Sequence, residues 1–239
     1  MAMIEVQGLT KRFGEVLAVD QLSFEVDRGT VVGFLGPNGA GKTTTLRALL
    51  GLVRPSDGAA TFGGKAYAEL AEPLRHVGAV LEASSFYPGR SARNHLRVQA
   101  TAAGIDPARV EAVLDLVGLQ GAARRQVGGF SLGMRQRLGI AAAMLGDPEV
   151  LILDEPANGL DPEGVRWLRG LVRGLAEEGR TVLVSSHILA EVAQTVDSVV
   201  IIDKGRLVVQ STLRELTAGA NLEDVFFQLT AASSDKEGS

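Results

Sequence analysis

Gly36-Pro37-Asn38-Gly39-Ala40-Gly41-Lys42-Thr43 follows directly on the apolar run Val31-Val32-Gly33-Phe34-Leu35. Gly36, Gly39 and Gly41 let the backbone take conformations closed to other residues, so that successive N–H groups turn inward on an anion. The loop reads as a phosphate cradle. Beyond it Leu46, Leu49 and Leu50 share one helical face, and Gly51 stands as a left-handed cap just past the helix end. A helix starting at the loop adds unpaired amides and about half a positive charge to the anion site. Lys42 is placed to reach the β- and γ-phosphates and the Thr43 hydroxyl to ligate Mg²⁺. Strand, glycine loop and helix in that order predict an α/β fold that binds a nucleotide.

The bulk composition narrows the classes. A chain of 239 residues, 46% hydrophobic and 22% charged, suits a soluble globular protein with a substantial core. Its net charge of −4, without a long basic run, does not favour nucleic acid as the main partner. The absence of cysteine removes disulfides, thiolate metal sites and cysteine nucleophiles together. No stretch approaches the roughly 20 apolar residues of a membrane helix, and residues 1–5 lack the basic-then-apolar form of a targeting signal. The chain is expected in the cytosol, with any membrane span supplied by another polypeptide.

Along the chain, residues 4–9 and 22–26 read as strands flanking a loop with Lys11-Arg12-Phe13-Gly14. Phe13 can stack on a purine or pack in the sheet, and the residues alone leave both open. Residues 59–62 and 77–81 are further strands, the latter ending at Glu82. From Ser91 to about Leu145 the pattern turns helical. Ser91 caps a helix with Leu96, Ala100 and Ala103 inward, and Asp106-Pro107 opens the next. Ser131 is an N-cap for a helix carrying Leu138 and Ala142, either a second anion site or a capped core helix. These helices predict a separate lobe inserted between sheet segments.

Val150-Leu151-Ile152-Leu153 is an uninterrupted apolar run, the mark of a strand buried on both faces, with Asp154 and Glu155 at its carboxyl end. Ligands of open α/β sheets bind there. Asp154 can hold Mg²⁺ through water, and Glu155 can polarise the water that attacks the γ-phosphate. His187 follows the exit of another buried strand, residues 181–185, and has a functional context that His76 and His95 lack. Residues 199–203 and 207–210 are a last strand pair around Lys204-Gly205, residues 221–229 a short helix, and residues 231–239 an unordered polar tail.

Set in order, these pieces resemble the nucleotide-binding subunit of ATP-binding-cassette (ABC) transporters over about residues 3–230. Walker A corresponds to residues 36–43 with Thr44 beside it, Walker B to residues 151–154 followed by Glu155, the D-loop to residues 158–161 and the switch histidine to His187. Phe13 matches the family's adenine-stacking aromatic. Two departures stand out. The usual signature Leu-Ser-Gly-Gly-Gln is Phe130-Ser131-Leu132-Gly133-Met134, which keeps the serine and second glycine, and the usual Q-loop glutamine is Glu82. Glu82 with Phe86-Tyr87-Pro88 looks like the bacterial exporters linked to bacitracin resistance and lantibiotic self-protection.

The resemblance implies a P-loop NTPase (RecA-like) core with an antiparallel β-subdomain, about 1–84 and 146–211. It implies an inserted α-helical subdomain at about 85–145 and a C-terminal segment at 212–230. ATP and Mg²⁺ are the implied ligands, with Thr43, Asp154 and Glu82 toward the metal. Two copies, expected as a homodimer, would close head to tail so that Ser131, Gly133 and Asp161 of one meet ATP held by the other. A permease on the membrane would receive that motion at the cytoplasmic face. A soluble ABC ATPase acting on nucleic acid, ribosomes or iron–sulfur assembly is the alternative; a P-loop GTPase lacks its Asn-Lys-x-Asp base-reading pattern here.

Overall fold

The computed structural model describes residues 2–81, 86–186, 189–217 and 221–235. In chain order its elements begin with β1 (Ala2–Phe13), β2 (Val16–Asp27), β3 (Val31–Leu35), α1 (Lys42–Leu49), β4 (Asp57–Phe62), α2 (Pro73–His76) and β5 (Val77–Val80). Three helices follow, α3 (Ala92–Ala102), α4 (Ala108–Leu116) and α5 (Leu132–Ala143). Then come β6 (Val150–Asp154), α6 (Pro162–Glu177), β7 (Thr181–Ser186), α7 (Leu189–Val192), β8 (Ser198–Asp203), β9 (Arg206–Thr212), α8 (Leu213–Thr217) and α9 (Leu222–Asp235). They form two compact units, Met1–Leu70 with Val172–Ser239, and Ala71–Leu171. The sequence places its boundaries elsewhere, near 84/85 and 145/146. The difference arises at β5, which pairs with β6 and lies so close to α5 that a Cβ on Gly78 would meet the Ala143 carbonyl carbon at 2.9 Å.

In the first unit β1 lies between β2 and β4, antiparallel to both. Alternation in β2 sends Leu22, Phe24 and Val26 inward. Lys11, Arg12 and Phe13, expected in a loop, are the end of β1, with Phe13 paired to Val16 across a turn at Gly14-Glu15. The ladder simply continues to the hairpin tip. β3 lies between β7 and β8, parallel to both, and all five of its residues are buried, which is why it shows no alternation. A Cβ on Gly33 would sit 2.8 Å from Val192 Cγ1, so the glycine admits α7 against the strand. Phe24 and Phe34, ring centroids 5.3 Å apart, join the antiparallel sheet to the parallel strands.

α1 ends as its sequence predicts. Gly51 has φ +69°, its amide bonds to the Ala48 carbonyl and that of Leu52 to the Arg47 carbonyl, a Schellman closure. α9 runs on to Asp235, five residues into the stretch expected to be unordered, as Ala231 and Ala232 favour helix; residues 236–239 lie outside the described residues.

In the second unit β5 and β6 are parallel neighbours. Ser91 Oγ accepts from the Asn94 amide at 3.3 Å to cap α3, burying Leu96 and Ala100. Ala103, expected inward, is exposed because the helix ends before it and the chain turns at Gly104, φ +64°. Asp106 Oδ1 accepts from the Ala108 amide at 2.8 Å and so caps α4.

His95 is buried on α3, its ring edge-on to Phe86 at 4.9 Å, and neither ring nitrogen has a hydrogen-bond partner among the described residues. Burial first, and the nearby Arg90 charge second, hold its imidazole below the ordinary histidine pKa. The unfolded chain therefore binds this proton at higher pH than the folded one, and stability falls as pH drops through about 6.5 toward the folded value. His95→Phe is expected to flatten that acid limb in urea midpoints measured from pH 7.5 to 5.5; parallel curves for the two proteins would remove His95 from the linkage.

Candidate active site

The cradle belongs to the first unit. β3 delivers the chain to Gly36, where a Cβ would lie 3.1 Å from Ile202 Cγ1 and clash with the Ile202 carbonyl oxygen. Gly41 has φ +100°, and a Cβ there would lie 2.5 Å from the Ala18 carbonyl oxygen. Close backbone approach thus requires glycine at both positions, and at Gly41 the left-handed conformation requires it as well. The Ala40 amide bonds to the Pro37 carbonyl at 3.1 Å, and the Ala40 carbonyl accepts from the Gly205 amide at 2.9 Å. Lys42, 7% exposed, folds over the loop and donates to the Gly36 carbonyl at 2.7 Å and the Pro37 carbonyl at 3.2 Å. Its ammonium is therefore fixed inside the turn that the sequence assigns to phosphate. Thr43 and Thr44 are half-buried in the first turn of α1, and Thr45 is buried with its hydroxyl on the Gly41 carbonyl.

Phe13 is 49% exposed at the β1–β2 hairpin tip, with Lys11 Nζ 4.7 Å from its ring centroid. The packing alternative left open by the sequence does not describe an aromatic so placed.

The acids belong to the second unit. All five residues of β6 are buried, Asp154 included at 8% exposure, and Glu155 follows half-buried in the left-handed region, φ +49°. The loop after it is built from tight turns, Asn158 amide to Glu155 carbonyl at 3.2 Å and Leu160 amide to Ala157 carbonyl at 3.1 Å. Asp161 is exposed and caps α6, its Oδ1 accepting from the Gly164 amide at 2.8 Å. Ser131 caps α5, its Oγ accepting from the Met134 amide at 3.2 Å, on a turn where Ser131 and Leu132 are exposed. Within this unit the signature turn and the D-loop meet, the Gly159 carbonyl oxygen lying 3.4 Å from the position a Cβ on Gly133 would take.

Glu82 and His187 lie outside the described residues. Thr43 and Asp154 offer a hydroxyl and a carboxylate, hard oxygen donors of the kind Mg²⁺ selects. Gly205 is the residue that the sequence reading missed. The Lys204-Gly205 pair, φ +46° and +80°, is legible as a hairpin turn, but nothing in it signals that its amide holds the cradle.

Residues 19–158 match the family described as ABC transporter. The chain belongs to the ABC transporter family. It is 48% identical to the bacitracin transport ATP-binding protein BcrA of Bacillus licheniformis over 86% of this chain and 68% of that protein. It is 37% identical to the lantibiotic transport ATP-binding protein SrtF of Streptococcus pyogenes over 94% of this chain and 96% of that protein. A solved structure described as an ATP binding subunit of an ABC transporter superposes with a TM-score of 0.86 at 31% identity, covering 95% of this chain and 99% of its own. This ABC protein is accordingly an ATP-binding and ATP-hydrolysing subunit that works in transport, with the P-loop NTPase fold expected. Among the described residues no helix is long and apolar enough to cross a membrane.

Removing the Lys42 ammonium removes a charged donor from the cradle. Lys42→Ala is expected to weaken ATP binding by about tenfold to a hundredfold, the worth of a charge-assisted hydrogen bond. Titration calorimetry reads this directly, and a dissociation constant within twofold of the wild type would take Lys42 out of phosphate binding.

Proposed function

We propose that this chain pairs with a second copy of itself and drives a membrane-spanning permease, as the ATPase of an exporter at the cytoplasmic face of the membrane. The observation that carries the reading is the cradle with its enclosed Lys42, in a chain that matches 96% of the length of a lantibiotic transport subunit. The names of both curated relatives make peptide antibiotics the class of cargo to test first.

Each residue then has a task. The exposed ring of Phe13 stacks on adenine. Backbone amides of Asn38, Gly39, Gly41, Lys42, Thr43 and Thr44 receive the phosphates, Gly36, Pro37 and Ala40 shape the turn, and Lys42 exchanges two carbonyls for the β- and γ-phosphate oxygens. Thr43 in the first unit and Asp154 in the second, with Glu82, are the oxygen donors that the family resemblance assigns to Mg²⁺, which would supply charge neutralisation. Glu155 accepts a proton from the attacking water, His187 contacts the γ-phosphate, and Glu82 links this site to the permease-facing surface. Ser131 and Gly133, with Asp161, approach ATP held by the other copy. ATP favours the closed pair because only there are all its contacts made, and hydrolysis removes that preference. The helical stretch at about 85–145 is the lobe that moves.

Glu155→Gln tests the chemistry. Turnover is expected to fall by about 10²-fold to 10⁴-fold, roughly 3 to 5 kcal/mol of barrier, with ATP binding nearly intact and an ATP-stabilised dimer visible by light scattering. Unchanged turnover would remove Glu155 from the reaction. Purification from detergent-solubilised membranes tests the partner: a co-eluting polytopic protein that raises ATPase turnover supports the exporter, and recovery with ribosomes or nucleic acid instead would overturn it.

A further inference from the structure

The signature turn carries Leu132 where the family usually has glycine, and the structure shows what the isobutyl group does. A Cβ on Gly159 would lie 2.5 Å from Leu132 Cγ and 3.2 Å from Leu132 Cβ, with Cδ2 closer still. Gly159, at φ +78°, is therefore the place in the D-loop where Leu132 is seated. Leu160 completes the contact, its Cδ2 being 3.4 Å from the position a Cβ on Gly133 would take. Leu132 remains 53% exposed, so burying it in a core does not account for its presence on this turn. A second tie joins the same helices, the Arg137 guanidinium of α5 lying 4.2 Å from the Trp167 ring centroid of α6.

Gly159 lies between Glu155, whose carbonyl accepts the Asn158 amide, and Asp161, which caps α6. The Leu132 side chain thus meets the loop that follows Glu155 at Gly159. We propose that Leu132 is a positioning residue that fastens the D-loop to the signature turn, so that Ser131, Gly133, Asp161 and the exit of β6 move as one piece. This rests on the two-copy reading given above. Leu132 and Gly159 form a matched pair: the leucine needs the missing Cβ, and the glycine loop needs the leucine to hold it.

The test is a double-mutant cycle in the full chain: wild type, Leu132→Gly, Gly159→Ala and the combination, with kcat and KM for ATP and thermal unfolding measured on each. Gly159→Ala is expected to lower kcat at least about tenfold with KM within about twofold, since the cradle is untouched. The double variant is expected to recover at least about threefold over Gly159→Ala, because the left-handed strain is common to both and only the clash is relieved. Leu132→Gly alone is expected to lower kcat about fivefold, Leu132→Met to restore most of it, and Leu132→Gly to alter the ATP-induced change in Trp167 fluorescence, the single tryptophan of the chain. Strictly multiplicative effects on kcat overturn the proposal. So does coupling confined to the melting temperature, which would make the contact structural only. If Gly159→Ala does not fold, a Leu132→Gly protein with wild-type kcat and fluorescence response overturns it equally. Failure of wild type to hydrolyse ATP, or of the Glu155→Gln protein to dimerise with ATP, would strike the two-copy reading itself, a different result from intact wild-type turnover with a multiplicative cycle.

Discussion

A loop that turns its amides inward on an anion has to satisfy its carbonyls elsewhere, because a buried backbone acceptor without a donor costs about 1 to 3 kcal/mol. That constraint organises the first unit. The Ala40 carbonyl takes the Gly205 amide at 2.9 Å, and the Gly205 carbonyl in turn takes the Asp20 amide at 2.9 Å, so one turn residue clips the cradle to β2. A Cβ on Gly205 would stand 2.9 Å from both the Ala18 carbonyl oxygen and Val19 Cα, which leaves glycine as the residue that fits. Lys42 takes the Gly36 and Pro37 carbonyls on the inner side. The Arg206–Asp20 ion pair beside the clip, with Arg206 largely exposed, adds little by comparison.

The rest of each unit follows from strands that end at chemistry. β3 and β6 are buried throughout, and each hands the chain at its carboxyl end to the residues proposed to act, Gly36 in one case and Asp154 with Glu155 in the other. The glycines at Gly33 and Gly78 let α7 and α5 lie directly on β3 and β5.

Much of this was legible because it is local. Unbroken apolar runs declared β3 and β6, and Ser91, Ser131, Asp106 and Gly51 declared helix ends that the structure closes with those residues. Phe13 was visible as an aromatic but not as a hairpin tip, because the alternation that reveals a strand weakens where both faces meet water. Ala103 was assigned inward by helical spacing that stops being valid once the helix has ended. Gly205 and the Leu132–Gly159 contact were illegible for a different reason: each joins residues distant in sequence, and neither partner has a pattern of its own.

Glu155 combines both kinds of constraint. A non-glycine residue at φ +49° stores about 1 to 2 kcal/mol of strain, and glycine would relieve it. Glycine would also remove the carboxylate proposed to accept the proton of the attacking water. Such a conformation persists only where its flanks are over-determined. Before Glu155 stand five buried strand residues, and after it comes a loop whose turns are closed by the Asn158 and Leu160 amides and whose end is capped by Asp161. Leu132 is seated on that loop at Gly159, beside the approach of the Gly159 carbonyl and Leu160 to Gly133 of α5. In the proposed arrangement the leucine that departs from the usual signature takes the space left by the missing Cβ of Gly159, a residue that its φ of +78° already reserves for glycine.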